Sequence, residues 1–387
     1  IWVALSMIAV SAIGMLLFTT RPVGDAMATT IWGTSSSWTL TALPLFVWMG
    51  EILFRTKLSE NLFKGLSPWL SKLPGGLVHV NVVGCALFAA ISGSSAATVA
   101  TVGKMSIPEL RKRKYPEKLL LGSLAGSGTL GLLIPPSIIL IIYGVTIEDS
   151  IAKLFMAGIL PGIMLAVMFM LYVIFWSILN KKLMPKSTKN FSFAEKVQGS
   201  KQLLPVIFLI TGVIGSIYTG IATATEAASL GVVGALILSF FQGTLSKETF
   251  NLSLLGATKT SCMIAFIIAG STFLSLAMGF TGLPRNLAIW IDGMNLSPYT
   301  LLFVLTIFYI ILGMFLDGIS AVVLTMAIIE PMIRQAGFDM IWFGIYLVIV
   351  VEMAQITPPV GFNLFVLQSM ANKDMAFIAR SAFPLFL

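Results

Sequence analysis

The chain is 387 residues long, 57% hydrophobic and only 10% charged, with a mean hydropathy of +0.96. Soluble domains carry about 25% charged residues, so these values exclude an ordinary soluble domain and specify an all-α polytopic membrane protein in a lipid bilayer. The net charge of +8 is read as topology and implies no nucleic-acid partner, because basic residues of membrane proteins gather in cytoplasmic loops.

In chain order, apolar runs long enough to cross a core of about 30 Å lie near residues 1–20, 38–54, 118–147, 152–179, 203–220, 225–245, 258–280 and 341–370. The stretches 55–76 and 281–298 mix charge, proline and tryptophan and read as interfacial helices. Segments 77–103 and 299–336 read as re-entrant hairpins, and 118–147 and 341–370 as broken helices. The chain thus divides into a scaffold with its first arm (1–76), a first moving half (77–180), a linker with scaffold helices and a second arm (181–298), and a second moving half (299–387). Trp2, Trp32, Trp38, Trp69, Trp290 and Trp342 fall near span ends, as an interfacial belt requires. Cys85 and Cys262 lack C-x-x-C spacing and read as small core residues rather than metal ligands. The start at Ile1 leads us to expect residues upstream, and a signal peptide cannot be judged.

Within "LAGSGTLGLLIPPSIILIIYG" (124–144), Gly126, Gly128 and Gly131 spell G-x-G-x-x-G. A dinucleotide loop needs a preceding strand and an acidic residue about 20 positions on. The flanks are instead unbroken hydrocarbon from Leu132 to Ile142, so another reason for the glycines is needed.

The prolines supply it. Pro108, Pro135, Pro136 and Pro161 recur as Pro331, Pro358, Pro359 and Pro384, each 223 positions later. "ISGSSAATV" (91–99) parallels "FLDGISAVV" (315–323), and "LIPPS" parallels "ITPPV". This is an internal repeat. Arg55, Lys57, Lys64, Lys72, Lys104, Arg111, Lys112, Arg113, Lys114 and Lys118 in the first repeat's loops face only Arg285 and Arg334 in the second's. The positive-inside rule therefore puts the two sets on opposite sides, and the repeats are inverted.

Each Pro-Pro pair removes two backbone donors, so a membrane helix should unwind there and bare its carbonyls. The hairpin tips, Ser92-Gly93-Ser94-Ser95 and Asp317-Gly318-Ile319-Ser320, add hydroxyls and a carboxylate. Inverted repeats with paired interrupted segments point to a midplane transporter site, where carbonyls coordinate a cation and half-helix N-termini attract an anion. An oxygen-only set suits a hard cation rather than zinc or copper. The competing reading is that glycine and serine serve helix packing and the prolines are kinks.

Asp317 is the intramembrane acid with the strongest case for a site role. Glu226 is balanced between a site role and a packing or surface role. Glu51 and Glu352 read as paired with local donors, Glu352 also standing close enough to support the unwound Gln355-Ile356-Thr357, and Glu330 reads as solvated. His79, the only histidine, reads as interfacial.

These residues resemble the large membrane subunit of tripartite ATP-independent periplasmic (TRAP) transporters, and the likeness runs over nearly the whole chain. It is carried by "ALPLFVWMGEIL" (42–53), "AISGSSAATVATVG" (90–103), "GTLGLLIPPSIILIIYG" (128–144), "YTGIATATEAASLGV" (218–232) and "ITPPVGFNLFV" (356–366). The resemblance implies a sodium-coupled elevator-type importer in the bacterial inner membrane. It also implies a small four-helix membrane subunit, separate or fused, and a periplasmic substrate-binding protein that delivers an organic acid. Carried over residue by residue, one Na+ site uses Gly93, Ser94 and Ser95 with backbone at Leu133 and Ile134. A second uses Gly313, Asp317 and Ser320 with backbone at Ile356 and Thr357. Ser92 and Ser137, with Ser94, Pro135 and Val360 around them, are expected to meet the substrate carboxylate, and Val360 in place of a hydroxyl makes recognition asymmetric. Sialic acid and small dicarboxylates both fit, with a slight lean to the former.

Two rivals stand beside this reading. A passive channel also uses paired re-entrant loops. An intramembrane hydrolase would need His79 within hydrogen-bond reach of a tip serine, yet half a hairpin, about 20 Å, separates His79 from Ser94.

Overall fold

The computed structural model describes residues 2–56, 58–185, 191–201, 203–283, 286 and 297–386, with backbone alone at 58–60. Much of the second arm, including Pro284, Arg285 and Trp290, lies outside the described residues, as does Lys57. Every regular element among the described residues is helical.

Four interrupted units make the centre. The first hairpin pairs α5 (His79–Ser92) with α6 (Ser95–Lys112), and the first broken helix runs through α7 (Glu117–Gly128), α8 (Leu130–Leu133) and α9 (Ile138–Thr146). Two further units follow after the helices α10 (Ile151–Leu179), α11 (Phe193–Ser200), α12 (Leu204–Tyr218), α13 (Ala224–Phe241) and α14 (Lys247–Thr281). They are the second hairpin, α15 (Pro298–Gly313) with α16 (Gly318–Gln335), and the second broken helix, α17 (Met340–Gln355) with α18 (Phe362–Ala371). A last helix, α19 (Met375–Phe386), closes the chain. The starts of α7 and α17, like the caps Ser94 and Asp317, stand 223 positions apart.

Single and tandem prolines behave differently. Pro108, Pro161, Pro331 and Pro384 sit inside continuous helices, whereas Pro135-Pro136 and Pro358-Pro359, both with cis peptide bonds, occupy the two breaks. One missing donor is absorbed as a kink; two adjacent ones, each with its ring in the preceding turn, stop the helix.

Around this centre lie α1 (Trp2–Phe18), α2 (Val23–Ser35) and α3 (Ala42–Phe54), packed on α13 and α14. α4 (Leu58–Leu70) is the first arm, and Trp69 Nε1 donates to Ser200 Oγ at 2.8 Å to fix it to α11. Ser271 of α14 donates to the Val323 carbonyl of α16, and Phe46 of α3 meets Phe155 of α10 edge to face. The α7–α9 unit is 89% buried over its most apolar window, whereas α10 is 22% buried and turns Leu160, Ile163, Val167, Leu171 and Phe175 outward. So much apolar side chain on the outside is a liability in water and the proper surface in lipid. The tryptophans expected at span ends, other than Trp290, are all exposed.

Several expectations need correction. The basic stretch 104–118, read as a loop, is mostly the second half of α6, because the single Pro108 is absorbed within the helix, which runs on to Lys112. α2 falls in a stretch too rich in threonine and glycine to stand out, and it meets the segment containing α3 at a 53° bend. Cys85 is buried as expected, but Cys262 is exposed on α14. Glu51 does pair locally, with Arg55 at 2.9 Å. Glu352 does not: it is buried, and neither oxygen has a hydrogen bond of good geometry among the described residues, although the carboxylate faces the backbone of Leu132 and Leu133. Glu330, read as solvated, pairs with Arg334 at 2.9 Å on the surface.

Candidate functional site at the meeting of four broken elements

At the first tip, α5 ends on Gly93 in the left-handed region, at φ +58°. A Cβ there would also stand 2.7 Å from the Pro136 carbonyl oxygen and 3.0 Å from the Ile138 nitrogen, so only glycine lets the tip touch the first break. The Ile138 amide donates to the Gly93 carbonyl at 3.3 Å. Ser94 caps α6, accepting from the Ala97 amide at 3.5 Å. Ser92 Oγ and Thr98 Oγ1 share a 2.9 Å hydrogen bond, and Thr98 Oγ1 donates to the Ser94 carbonyl at 2.8 Å. From the other side α8 presses Gly131 so close that a Cβ would lie 2.6 Å from the Ser94 oxygen. The G-x-G-x-x-G stretch is therefore a packing device on a helix.

The first break runs from Leu133 to Ile138, with Ile134 extended. Ser137 is fully buried; its hydroxyl makes a short hydrogen bond to the Leu132 carbonyl and accepts from the Leu140 amide at 3.3 Å. The Leu133 carbonyl lies against Gly158 of α10, with Ile134 beside Gly162. The carbonyl brought to Gly93 is that of Pro136, which lies within the "IPPS" run but was not singled out for its own oxygen.

At the second tip Asp317 caps α16, its Oδ2 accepting from the Ser320 amide at 3.2 Å. Gly313 abuts Ala354, and Gly318 abuts both Gln355 of α17 and Ile139 of α9. The second break starts at Ile356, whose amide donates to the Met353 carbonyl at 3.3 Å; the Thr357 amide donates to Ala354 at 3.1 Å and the Thr357 hydroxyl to Met353 at 2.8 Å. Pro358, Pro359 and Val360 are exposed. α18 then starts at Gly361 with no side-chain cap, unlike α6, α9 and α16.

One side chain spans the two tips. Ser95 Oγ donates to Gln355 Oε1 at 3.1 Å, and the Gln355 amide nitrogen lies 3.0 Å from where a Gly318 Cβ would be. Of the predicted residues, Gly93 meets the Pro136 carbonyl, Ser95 meets Gln355, Asp317 and Ser320 meet each other beside Gly318, and Gly313 meets Ala354, one residue before Gln355. Leu133 and Ile134 turn instead toward α10, and Pro135 and Ser137 are enclosed in the first break. Sequence reasoning missed Thr98, one turn beyond Ser94, and Gln355, which it placed in the unwound segment, whereas it is the last residue of α17.

Helices that end at Ser92, Gly313 and Gln355 and helices that start at Ser95, Ile138, Gly318 and Phe362 bring opposite partial charges, about half an elementary charge each, to the two tips and the two breaks. Among the described residues no three His, Cys, Asp or Glu cluster together. His79 hydrogen-bonds the Pro74 carbonyl at 2.8 Å at the far end of α5. Glu226 is exposed and forms a capping box with Thr223, so its part is to start α13.

Fold and site together define a multi-pass α-helical membrane protein built around interrupted helices. The chain belongs to the family described as the DctM component of the tripartite ATP-independent periplasmic transporters, which it matches over residues 1–387. That family is a transporter permease component and not an enzyme. The chain is 32% identical over 374 residues to the C4-dicarboxylate TRAP transporter large permease protein DctM of Pseudomonas aeruginosa, covering 96% of this chain and 87% of that one. It is 29% identical to the sialic acid TRAP transporter large permease protein SiaM of Vibrio cholerae, covering 97% and 88%. In fold it is similar to the Alcanivorax borkumensis YdaH transporter, with a TM-score of 0.69 at 12% identity over 100% and 94% of the two chains.

Proposed function

We propose that this chain is the large permease of a sodium-coupled secondary importer for an organic acid. The observation that carries the reading is the Gln355-centred junction of two capped tips and two unwound breaks. Its donors are main-chain carbonyls, hydroxyls and the carboxylate of Asp317, a set suited to a hard cation of low charge. Na+ is assigned to two places: Gly93, Ser94 and Ser95 with the Pro136 carbonyl, and Gly313, Asp317 and Ser320 with the carbonyls of Ile356 and Thr357. At the first of these the Pro136 carbonyl takes the place that the sequence led us to expect for the backbone of Leu133 and Ile134.

The substrate is a carboxylate of the C4-dicarboxylate or sialic acid kind, the classes handled by the two relatives named above. The uncapped start of α18, beside exposed Val360, supports anion binding there, and the Ser92 hydroxyl, at a half-buried position on the first tip, is assigned to the same anion. Ser137 supports the site through the first break rather than through an open hydroxyl. The proline repeat and the charge asymmetry of its loops support an inverted repeat and an elevator movement of the central units against the α1–α3 and α12–α14 frame. A periplasmic binding protein and a small membrane subunit complete the assembly in the bacterial inner membrane.

The test is uptake in proteoliposomes supplied with both partner components. Ser94→Ala and Asp317→Ala should each abolish sodium-driven accumulation while membrane insertion and folding stay intact. Unchanged uptake in both variants would refute the ion assignment.

A further inference from the structure

Gln355 has a position that neither cation site by itself requires. It is the last residue of α17, 3% exposed, and the two carbonyls after it belong to the second break. Its Oε1 accepts from Ser95, the first residue of the helix that leaves the first tip. Its Nε2 lies against the first residue of the helix that leaves the second tip, Gly318, at a spot that any side chain larger than hydrogen would take, since a Cβ would stand 3.0 Å from that nitrogen. A single planar carboxamide therefore touches the starts of both tip helices and ends the helix that unwinds.

We propose that Gln355 is a positioning residue that couples the two cation sites, so that an ion ordering one tip orders the other through this carboxamide. The inference rests on the sodium reading above. An ion that fixes Ser94 and Ser95 holds the Ser95 hydroxyl, which holds Gln355, which sets where the Ile356 and Thr357 carbonyls begin. The reverse path is the same set of contacts. Linkage makes such an effect reciprocal, with coupling factors of about 5- to 150-fold in characterised proteins. An acceptor is needed on the Ser95 side and a flat end on the Gly318 side, which glutamine supplies and an aliphatic residue of equal length does not.

The experiment titrates NaCl against choline chloride at constant ionic strength on the purified full chain in nanodiscs, reading the unfolding temperature. The wild type is expected to respond with a Hill coefficient approaching 2. Gln355→Met, equal in length and without an acceptor, should bring the coefficient to about 1 and raise the half-saturating sodium concentration about 10-fold. Gln355→Glu keeps an oxygen for Ser95 and should keep the coefficient above 1. Gly318→Ala pushes the amide away from the other side and should act like Gln355→Met, which covers the case in which Gln355→Met does not fold. A lower unfolding temperature with an unchanged Hill coefficient in Gln355→Met or Gly318→Ala would make Gln355 a packing residue and overturn the proposal. A wild type that does not distinguish sodium from choline would overturn the sodium reading itself, whereas a cooperative wild type with cooperative variants overturns the coupling role alone.

Discussion

The hydroxyl of Ser95 donates to Oε1 of Gln355 at 3.1 Å, joining residues 260 positions apart. Through this contact the first tip reaches the second break, and the neighbouring Gly318 brings in the second tip. The Ile138–Gly93 hydrogen bond does the same for the first tip and first break. The centre is thus a closed ring of contacts among four chain interruptions, and disturbing one member should be felt at the others.

Gly93→Ala tests the tip geometry. The residue is held at φ +58°, and the new Cβ would press on the Pro136 oxygen at 2.7 Å. Backbone strain of this kind costs about 1–3 kcal/mol, and separating tip from break should remove transport as well. A lowered unfolding temperature with uptake reduced at least about 10-fold is expected; wild-type values for both would mean the tip does not pack on the break.

Asp317 has two tasks that substitution can separate. As the cap of α16 it accepts from the Ser320 amide, and asparagine caps a helix about as well as aspartate. Asp317→Asn should therefore keep stability within about 0.5 kcal/mol, whereas Asp317→Ala should lose about 1 kcal/mol. Both should lose sodium-driven uptake, because both lack the carboxylate. Retained uptake in Asp317→Asn would restrict Asp317 to capping.

Much of this architecture is legible in the sequence. Tandem prolines in hydrocarbon allow little besides a break, and Ser94 and Asp317, spaced like the prolines, announce two helix starts. What the sequence hides is direction. Whether a carbonyl at 133 or at 136 meets the tip depends on how the chain turns through the break, and α10, packed against Leu133 and Ile134, fixes that turn from outside the motif. The inward turn of Ser137 and the contact of Gln355 with Ser95 are long-range packing results of the same kind. The weakly apolar α2 shows the other limit, since threonine and glycine leave little periodic signal even where a helix forms.

Ser137→Ala should behave as a structural variant. Its hydroxyl is enclosed and engaged with the Leu132 carbonyl and the Leu140 amide, so its loss should cost about 1–2 kcal/mol. Ser92→Ala, at a partly exposed position on the tip, should instead weaken apparent substrate affinity more than stability. Thermal unfolding and the substrate dependence of uptake, measured on both variants, separate the roles; a larger affinity loss in Ser137→Ala would reverse the assignment.

Arg111 ties three elements together: it grips Glu117 with two nitrogens, at 2.7 and 3.1 Å, and donates to the Ala371 carbonyl at 2.7 Å. The pair is about one-third exposed, so screening limits the ionic part, but the forked geometry and the helix C-terminus add to it. Arg111→Lys cannot reproduce the fork and should lose about 1 kcal/mol in thermal or denaturant unfolding; no change would reduce the contact to a surface ion pair of the ordinary weak kind.

The most direct measurement is uptake of a candidate acid into proteoliposomes holding the complete assembly, with sodium either higher outside or equal on both sides. The account predicts accumulation above the external concentration under the inward sodium gradient and simple equilibration without it. Equal uptake in both conditions would contradict a gradient-driven importer and favour a passive path through the same broken helices.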